Sequence, residues 1–287
     1  MPPTGGMTSI AAARRSTSAP SPLRLSAVLA LIRRDYLIRT SYRLVLVLDF
    51  FIGVLDVIVF YFISETFKEG ATASLGTAPS YFAFALVGIA VTAVIQATSS
   101  GISVAIRDEQ LTGTLEALVT QPISAIEMAI GMCGIPFLLA TFRVGLYLIV
   151  GGALLGVSFE HTNWAGLVLV LMATGTAMSS IGIVTAASVM VIKRGQSISA
   201  LIIFGMSFLG GAFFPVSVLP DWLEPLASIV PPRYAFDGLR KALYVGDGWW
   251  GDVLVLLGFS VVMVPVAVWL FERALHHGRR AGSLAQY

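Results

Sequence analysis

Six stretches of this chain are long and apolar enough to cross a lipid bilayer, and this narrows its possible folds more than any other feature. A span needs about 20 mostly apolar residues, because a helix is the single segment that satisfies its own backbone polar groups in lipid. The stretches are about Leu44–Ser64, about Tyr81–Ile106, a segment within Gly131–Val157, about Trp164–Ile192, about Ser197–Val218 and about Trp250–Leu275. A soluble amphipathic helix would need a polar face, and Val253–Leu270 carries no charge on any face. Composition points the same way: 12% of the 287 residues are charged, against about a quarter in an ordinary soluble domain. A water-soluble enzyme with a charged surface does not fit these numbers.

The distribution of charge sets the expected orientation. The net charge of +2, from 18 Lys and Arg against 16 Asp and Glu, is too even to suggest a nucleic-acid partner. An even number of spans places both termini on one side, and short cytosolic loops carry the excess of Lys and Arg. The N-terminal side holds Arg14, Arg15, Arg24, Arg33, Arg34, Arg39, Arg43, Arg107, Lys193, Arg194, Arg273, Arg279 and Arg280, against Lys68, Arg233, Arg240 and Lys241 on the other. Both termini are therefore expected in the cytosol, in a multi-pass protein of the cell membrane. Residues 1–22, rich in Pro, Ser, Thr and Ala and lacking a prompt apolar run, read as a disordered cytosolic tail and not a signal peptide. Residues 23–275 read as a single transmembrane domain, and 276–287 as a second cytosolic tail. One loop breaks the charge rule: residues 107–127 carry one Arg and four acids yet fall on the cytosolic side. A loop of that kind is expected to have another task.

Three segments are not spans. In Leu23–Arg43, the residues Leu25, Val28, Leu29, Ile32 and Tyr36 repeat at helical spacing, with Arg24, Arg34, Asp35 and Arg39 largely off that stripe. Such a helix belongs in the inner interface, its arginines near anionic lipid headgroups, either as a plain anchor or also as a surface for a cytosolic partner. In Ile106–Ser124, Thr114 is placed to cap a short helix through Leu118 and Val119, which Pro122 then stops or kinks. That segment is either a solvated loop or a lever on which something below can push. In Phe213–Arg240, prolines punctuate two short helical pieces, about Trp222–Ile229 and Arg233–Val245, and Asp221 with Glu224 has the spacing of a capping box. These pieces are too short to span and are expected either to dip into the outer leaflet or to lie on the surface.

Together the pieces resemble the permease subunit of the type-two ATP-binding-cassette exporters, over about Leu23 to Leu275. The stretch Arg107-Asp-Glu-Gln-Leu-Thr-Gly-Thr-Leu-Glu-Ala-Leu-Val-Thr-Gln-Pro-Ile-Ser124 looks like that family's coupling segment, with Gln110-Leu111 where the family often has a second charged pair. Phe214-Pro215, Leu219-Pro220, Trp222-Leu223, Pro231 and Arg240 look like its re-entrant hairpin before the last span. The resemblance implies an all-α integral membrane protein: six transmembrane helices, an N-terminal interfacial amphipathic helix, a cytosolic coupling helix and a re-entrant external helical hairpin. It implies two permease subunits, the second being the same chain or a paralogue, each docked on a separate ATP-binding-cassette ATPase that holds ATP and magnesium. Docking would use Arg34 and Arg39 of the interfacial helix with Arg107, Asp108, Glu109, Gly113, Thr114, Leu115 and Glu116 of the coupling segment. Phe213, Phe214, Pro215, Trp222 and Arg240 would form an external gate or hairpin.

The residues bear on the motor independently. A phosphate-cradling loop needs a Lys directly after Gly, and none of Lys68, Lys193 and Lys241 follows a glycine. No cofactor is expected on this chain. The single Cys133 cannot form an internal disulfide, and His161, His276 and His277 are too scattered for a metal site.

Charges inside the expected spans form one cluster. Asp49 and Asp56 lie seven residues apart on one face of the first span, and Arg143 lies in the third. A mid-membrane charge costs about 2.5–3.5 kcal/mol on insertion scales, so these groups should avoid lipid. Depth can be counted at about 1.5 Å per residue. A third span starting near Pro136 puts Arg143 between the two acids; one starting at Gly131 puts it level with Asp56. Arg143 is expected to pair with one of them, Asp49 being favoured because a long Arg side chain reaches toward the nearer interface. The pair is either a static structural bridge or, with Gln96, part of a translocation route. The polar stretches Gln96–Ser103 and Thr174–Ser180 serve either close helix packing or a cavity lining.

The function expected is outward, ATP-driven transport of a hydrophobic or amphipathic molecule, drug-like or lipid, with polysaccharide or glycolipid as the alternative cargo. A secondary transporter would often show a duplicated half, and none is evident. A membrane enzyme would need converging catalytic groups, which the scattered histidines do not supply. A non-transporting assembly subunit remains open.

Overall fold

A computed structural model describes residues 24–66, 75–121, 123–191 and 195–281, and within these the secondary structure is helical throughout. The N-terminal tail, Lys68, Pro122, Lys193 and Arg194 lie outside the described residues.

Helix α1 covers Leu25–Ser41 and α2 covers Arg43–Thr66, with a break at Tyr42. The Thr40 and Ser41 hydroxyls donate back to the carbonyls of Tyr36 and Leu37, local bonds that compete with helix continuation. Helix α3, Tyr81–Thr112, starts at Ser80, whose hydroxyl accepts from the Ala83 N–H, and stops at Gly113, which adopts the left-handed conformation (φ 72°). It therefore runs past Ile106, where the sequence placed the end of the second span. The residues Arg107 to Leu111 are good helix formers, and nothing breaks the helix before Gly113. At about 1.5 Å per residue it is about 48 Å long, well beyond the hydrocarbon core.

A five-residue helix α4, Leu115–Val119, precedes α5, Ala125–Ile149. Helix α5 starts earlier than either Gly131 or Pro136. A capping box starts it: the Ser124 hydroxyl accepts from the Glu127 N–H while Glu127 accepts from the Ser124 N–H. A π-helical turn at Val150–Leu154 ends it. Helix α6 spans Trp164–Val191.

Helix α7, Gly195–Leu209, has fifteen residues, about 22 Å at the standard rise. It stops well short of Val218, the expected end of the fifth span, because Gly210 and Gly211 break it, Gly211 with φ 86°. Phe213–Pro215 are irregular and Val216–Val218 form a 3₁₀ turn. Among the described residues, five helices thus have spanning length, and the apolar part of α7, Ser199–Leu209, is shorter.

The segment between α7 and the last long helix folds as α8, Glu224–Ile229, and α9, Pro231–Arg240, followed by a π-helical turn at Lys241–Val245. The capping box expected at Asp221 and Glu224 does not form. Leu223 is the N-cap, without a side-chain cap, and a proline in the first turn supplies the start signal instead. Helix α10, Trp250–Ala281, continues past Leu275 into the expected tail.

Helix α6 is the hub, packed against α10 and α3, while α3 also packs on α5 and α5 on α1. Small residues permit this. A Cβ on Gly182 would lie 2.5 Å from the Thr98 carbonyl oxygen, so α3 and α6 touch backbone to backbone. The Ser99 hydroxyl donates to the Met178 carbonyl and the Thr185 hydroxyl to the Ser99 carbonyl, sealing the contact. By contrast, α2 buries only Gly53 and Val57, and its remaining face is open.

Candidate functional site

Three places gather the chemistry-bearing residues: the turn between α3 and α4, a cavity among α2, α3, α5 and α7, and a staple formed by Arg240.

At the turn between α3 and α4, Gly113 ends α3 in the left-handed conformation. The Thr114 hydroxyl then donates to Glu109 Oε2 (2.5 Å), and its N–H to the Glu109 carbonyl. The other Glu109 oxygen pairs with Arg34 of α1 at 2.8 Å. Leu115 and Leu118 are buried against Ile102, Ile106, Met128 and Phe271. Thus Arg34, Glu109, Gly113, Thr114 and Leu115 meet in one place, and α4 is seated on the ends of α3, α5 and α10. Asp108 and Leu111 are exposed beside it, Arg107 has a partner of its own, and Glu116 lies on α4. Arg39 does not join them. It pairs with Asp35 at 3.0 Å and lines the cavity. Gln110 is buried, with neither amide atom hydrogen-bonded.

Glu127 was readable from the Ser124-x-x-Glu127 spacing but counted above only as a loop acid. It is fully buried, and besides closing the capping box it accepts the Arg24 backbone N–H at 2.5 Å. This ties the start of α1 to the start of α5.

The cavity has a volume of about 620 Å³. Its wall carries Leu46, Leu139, Ile203, Phe204, Phe208 and Phe213, with Asp49, Thr92, Gln96, Ser100, Arg143 and Ser207 as polar members. Arg143 pairs with Asp49 across α5 and α2, and its guanidinium carbon lies 5.3 Å from the Phe50 ring centre. Asp56 is exposed on the same helix and takes no part in that pair. The polar stretch of α3 divides by face: Gln96 and Ser100 line the cavity, while Thr98 and Ser99 are buried toward α6.

At the opposite end of α3 from Gly113, Arg240 is 3% exposed. Its Nη2 donates to the Gly211 carbonyl at 2.9 Å, with the Phe84 and Ala212 carbonyls at 3.4 Å. Its guanidinium carbon sits 3.4 Å from the centre of the Phe84 ring, and the Tyr244 hydroxyl donates to the Ala83 carbonyl. Arg240 thereby holds α9 to the N-terminal turn of α3 and to the broken end of α7. The other residues expected in the external gate or hairpin separate. Phe213 stacks on Phe60 and lines the cavity, Phe214 packs edge-on against Phe208, Pro215 precedes the 3₁₀ turn, and Trp222 is exposed.

Several apolar helices of spanning length point to a multi-pass membrane protein. Comparison with known families agrees: residues 26–244 match the family described as ABC-2 type transporter, and the chain belongs to that family. The linearmycin resistance permease protein LnrN of Bacillus subtilis (strain 168) is 22% identical over 208 residues, 72% of this chain and 51% of that protein. Nodulation protein J of Rhizobium leguminosarum bv. viciae is 29% identical over 168 residues, 57% of this chain and 63% of that one. The inner membrane transport permease YadH of Escherichia coli (strain K12) is 22% identical over 185 residues, 64% and 70% of the two chains. The match thus spans about half of LnrN and under two thirds of nodulation protein J.

Proposed function

We propose that this chain is the membrane subunit of an ATP-driven exporter, carrying a hydrophobic or amphipathic molecule outward from the cytoplasm or inner leaflet of the cell membrane. Both termini and the α4 turn face the cytosol, where the turn and α1 receive a separate ATP-binding-cassette ATPase. That partner holds the nucleotide and magnesium, since this chain lacks the Gly-Lys pair that cradles phosphates. Two permease chains make up the working unit, with α1 against the inner lipid interface and α8–α9 dipping into the outer leaflet.

One observation carries the reading. Helix α3 bears the inner turn at its C-terminal end and cavity residues Thr92, Gln96, Ser100 and Val104 along its length. A push on α4, locked to α3 by Thr114 and Glu109 and to α1 by Arg34, reaches the cavity through one continuous helix. The test is reconstitution in vesicles with a candidate ATP-binding-cassette ATPase subunit. ATP-dependent accumulation of a lipophilic dye is expected, and Glu109→Arg should uncouple hydrolysis from accumulation by about tenfold, consistent with loss of charged contacts. Flux that is independent of ATP and driven by an ion gradient would overturn the proposal.

A further inference from the structure

The chemistry of the cavity narrows the class of cargo, and this step rests on the export reading above. The wall is mostly carbon, but its polar groups do not balance. Arg39 and Arg143 line it with a single carboxylate, Asp49, although Asp35 also holds Arg39 from behind. The Arg143 guanidinium places Nη2 on Asp49, while its Nε is buried without a hydrogen-bond partner. Two hydroxyls at the same wall, Thr92 on α3 and Ser207 on α7, are also buried without partners. Elsewhere, buried hydroxyls in these helices bond back to their own carbonyls, as Thr98, Thr174, Ser180 and Ser260 do. Hydrogen-bond donors are therefore in surplus here, while each arginine is matched by one carboxylate. A buried donor left unmet carries its full desolvation penalty. A carboxylate or phosphate satisfies it best, because its oxygens match the fork of a guanidinium.

The pair itself is unequal. The Asp49 side chain is 55% exposed and that of Arg143 is 20% exposed. Asp49 is the member free to swing away, and Arg143 the member fixed in the wall. The Asp49 carboxylate thus occupies on Arg143 the place that a ligand anion would take. We propose that the cavity receives amphiphiles with an anionic head, carboxylate or phosphate. The head displaces Asp49 on Arg143, and the apolar tail lies along Phe204, Phe208 and Phe213. A cationic head would find no unpaired carboxylate here, since Asp49 already holds Arg143 and Asp35 holds Arg39.

The experiment is calorimetric titration of the full chain in phosphatidylcholine nanodiscs with eight-carbon amphiphiles that differ only in the head: octyl phosphate, octanoate, octyltrimethylammonium and octyl glucoside. The two anionic compounds should bind at least about tenfold more tightly than the other two, the scale set by one charge-assisted hydrogen bond. Arg143→Gln should erase that preference and Arg143→Lys should keep part of it. Asp49→Asn, which removes the competing carboxylate, should tighten anionic binding severalfold, an effect that a purely structural bridge would not produce. Where Arg143→Gln fails to fold, the double variant Asp49→Asn/Arg143→Gln leaves no unpaired charge and carries the same prediction. Equal binding of all four heads, a preference for octyltrimethylammonium, or weaker anionic binding in Asp49→Asn would overturn the proposal. Failure of the two readings is separable. Anionic preference without ATP-driven flux removes the export reading alone, and ATP-driven flux without head preference removes this one alone.

Discussion

Arg143 and Arg240 are both long cations set among apolar helices, and the protein holds them in opposite ways. Arg240 is 3% exposed, donates to main-chain carbonyls and lies on an aromatic face. Its hydrogen-bond partners are carbonyls, two of them at a helix break that they cannot leave without unfolding it, and the Asp237 carboxylate stands farther off at 3.7 Å. Arg143 leans on a side chain that is itself more than half exposed, at the rim of an open volume. The difference teaches that charge buried in such a bundle has two uses. Paired with backbone it fixes geometry; paired with a mobile carboxylate it remains available for exchange.

The contrast can be broken at either end. The largest effect is expected at Arg240. Replacing it with Ala strands the Gly211 carbonyl and empties the space over Phe84, at a cost on the order of 3 kcal/mol or more. Thermal melting in detergent reads this directly, and Lys should rescue little because it lacks the planar fork. Gly182→Ala comes next. Its methyl group would meet the Thr98 carbonyl at 2.5 Å, pushing α3 from α6 for about 1–3 kcal/mol in the same assay. Gln110→Leu should act in the opposite direction. Both amide atoms of Gln110 are buried and unpaired, so an apolar side chain of similar size should stabilise by about 1 kcal/mol. The smallest effect is expected for the double variant Asp49→Asn/Arg143→Gln, which should shift stability by about 1 kcal/mol or less. A collapse there equal to that of Arg240→Ala would erase the distinction between the two arginines.

The helices that carry the cavity were legible because crossing lipid demands a count of carbon that the sequence displays openly. The end of α7 was not, because Gly210 and Gly211 sit inside an apolar run that hydropathy reads as continuous, though a glycine pair is itself a break signal. The C-terminal end of α3 lies beyond the expected end of the span for a related reason. Polarity marks where lipid stops, whereas a helix stops where its backbone is interrupted, here at Gly113. The acids of residues 107–127 read as one group, yet Glu109 holds Arg34 and Thr114 while Glu127 caps α5. Arg240 was visible as a basic residue of the outer segment. That its partner is the Gly211 carbonyl, 29 residues earlier, is a fact of tertiary folding with no local signature.

The bond from the Arg24 N–H to Glu127 has a consequence for how such chains can drift. Because residue 24 contributes chiefly its main-chain N–H, with only a lesser charge effect from the Arg24 side chain, most amino acids there preserve the hydrogen bond between α1 and α5. Proline is the exception, since it has no N–H to give. Position 24 can therefore look freely variable while position 127 carries the whole constraint, and a survey of side chains alone would overlook half of the joint.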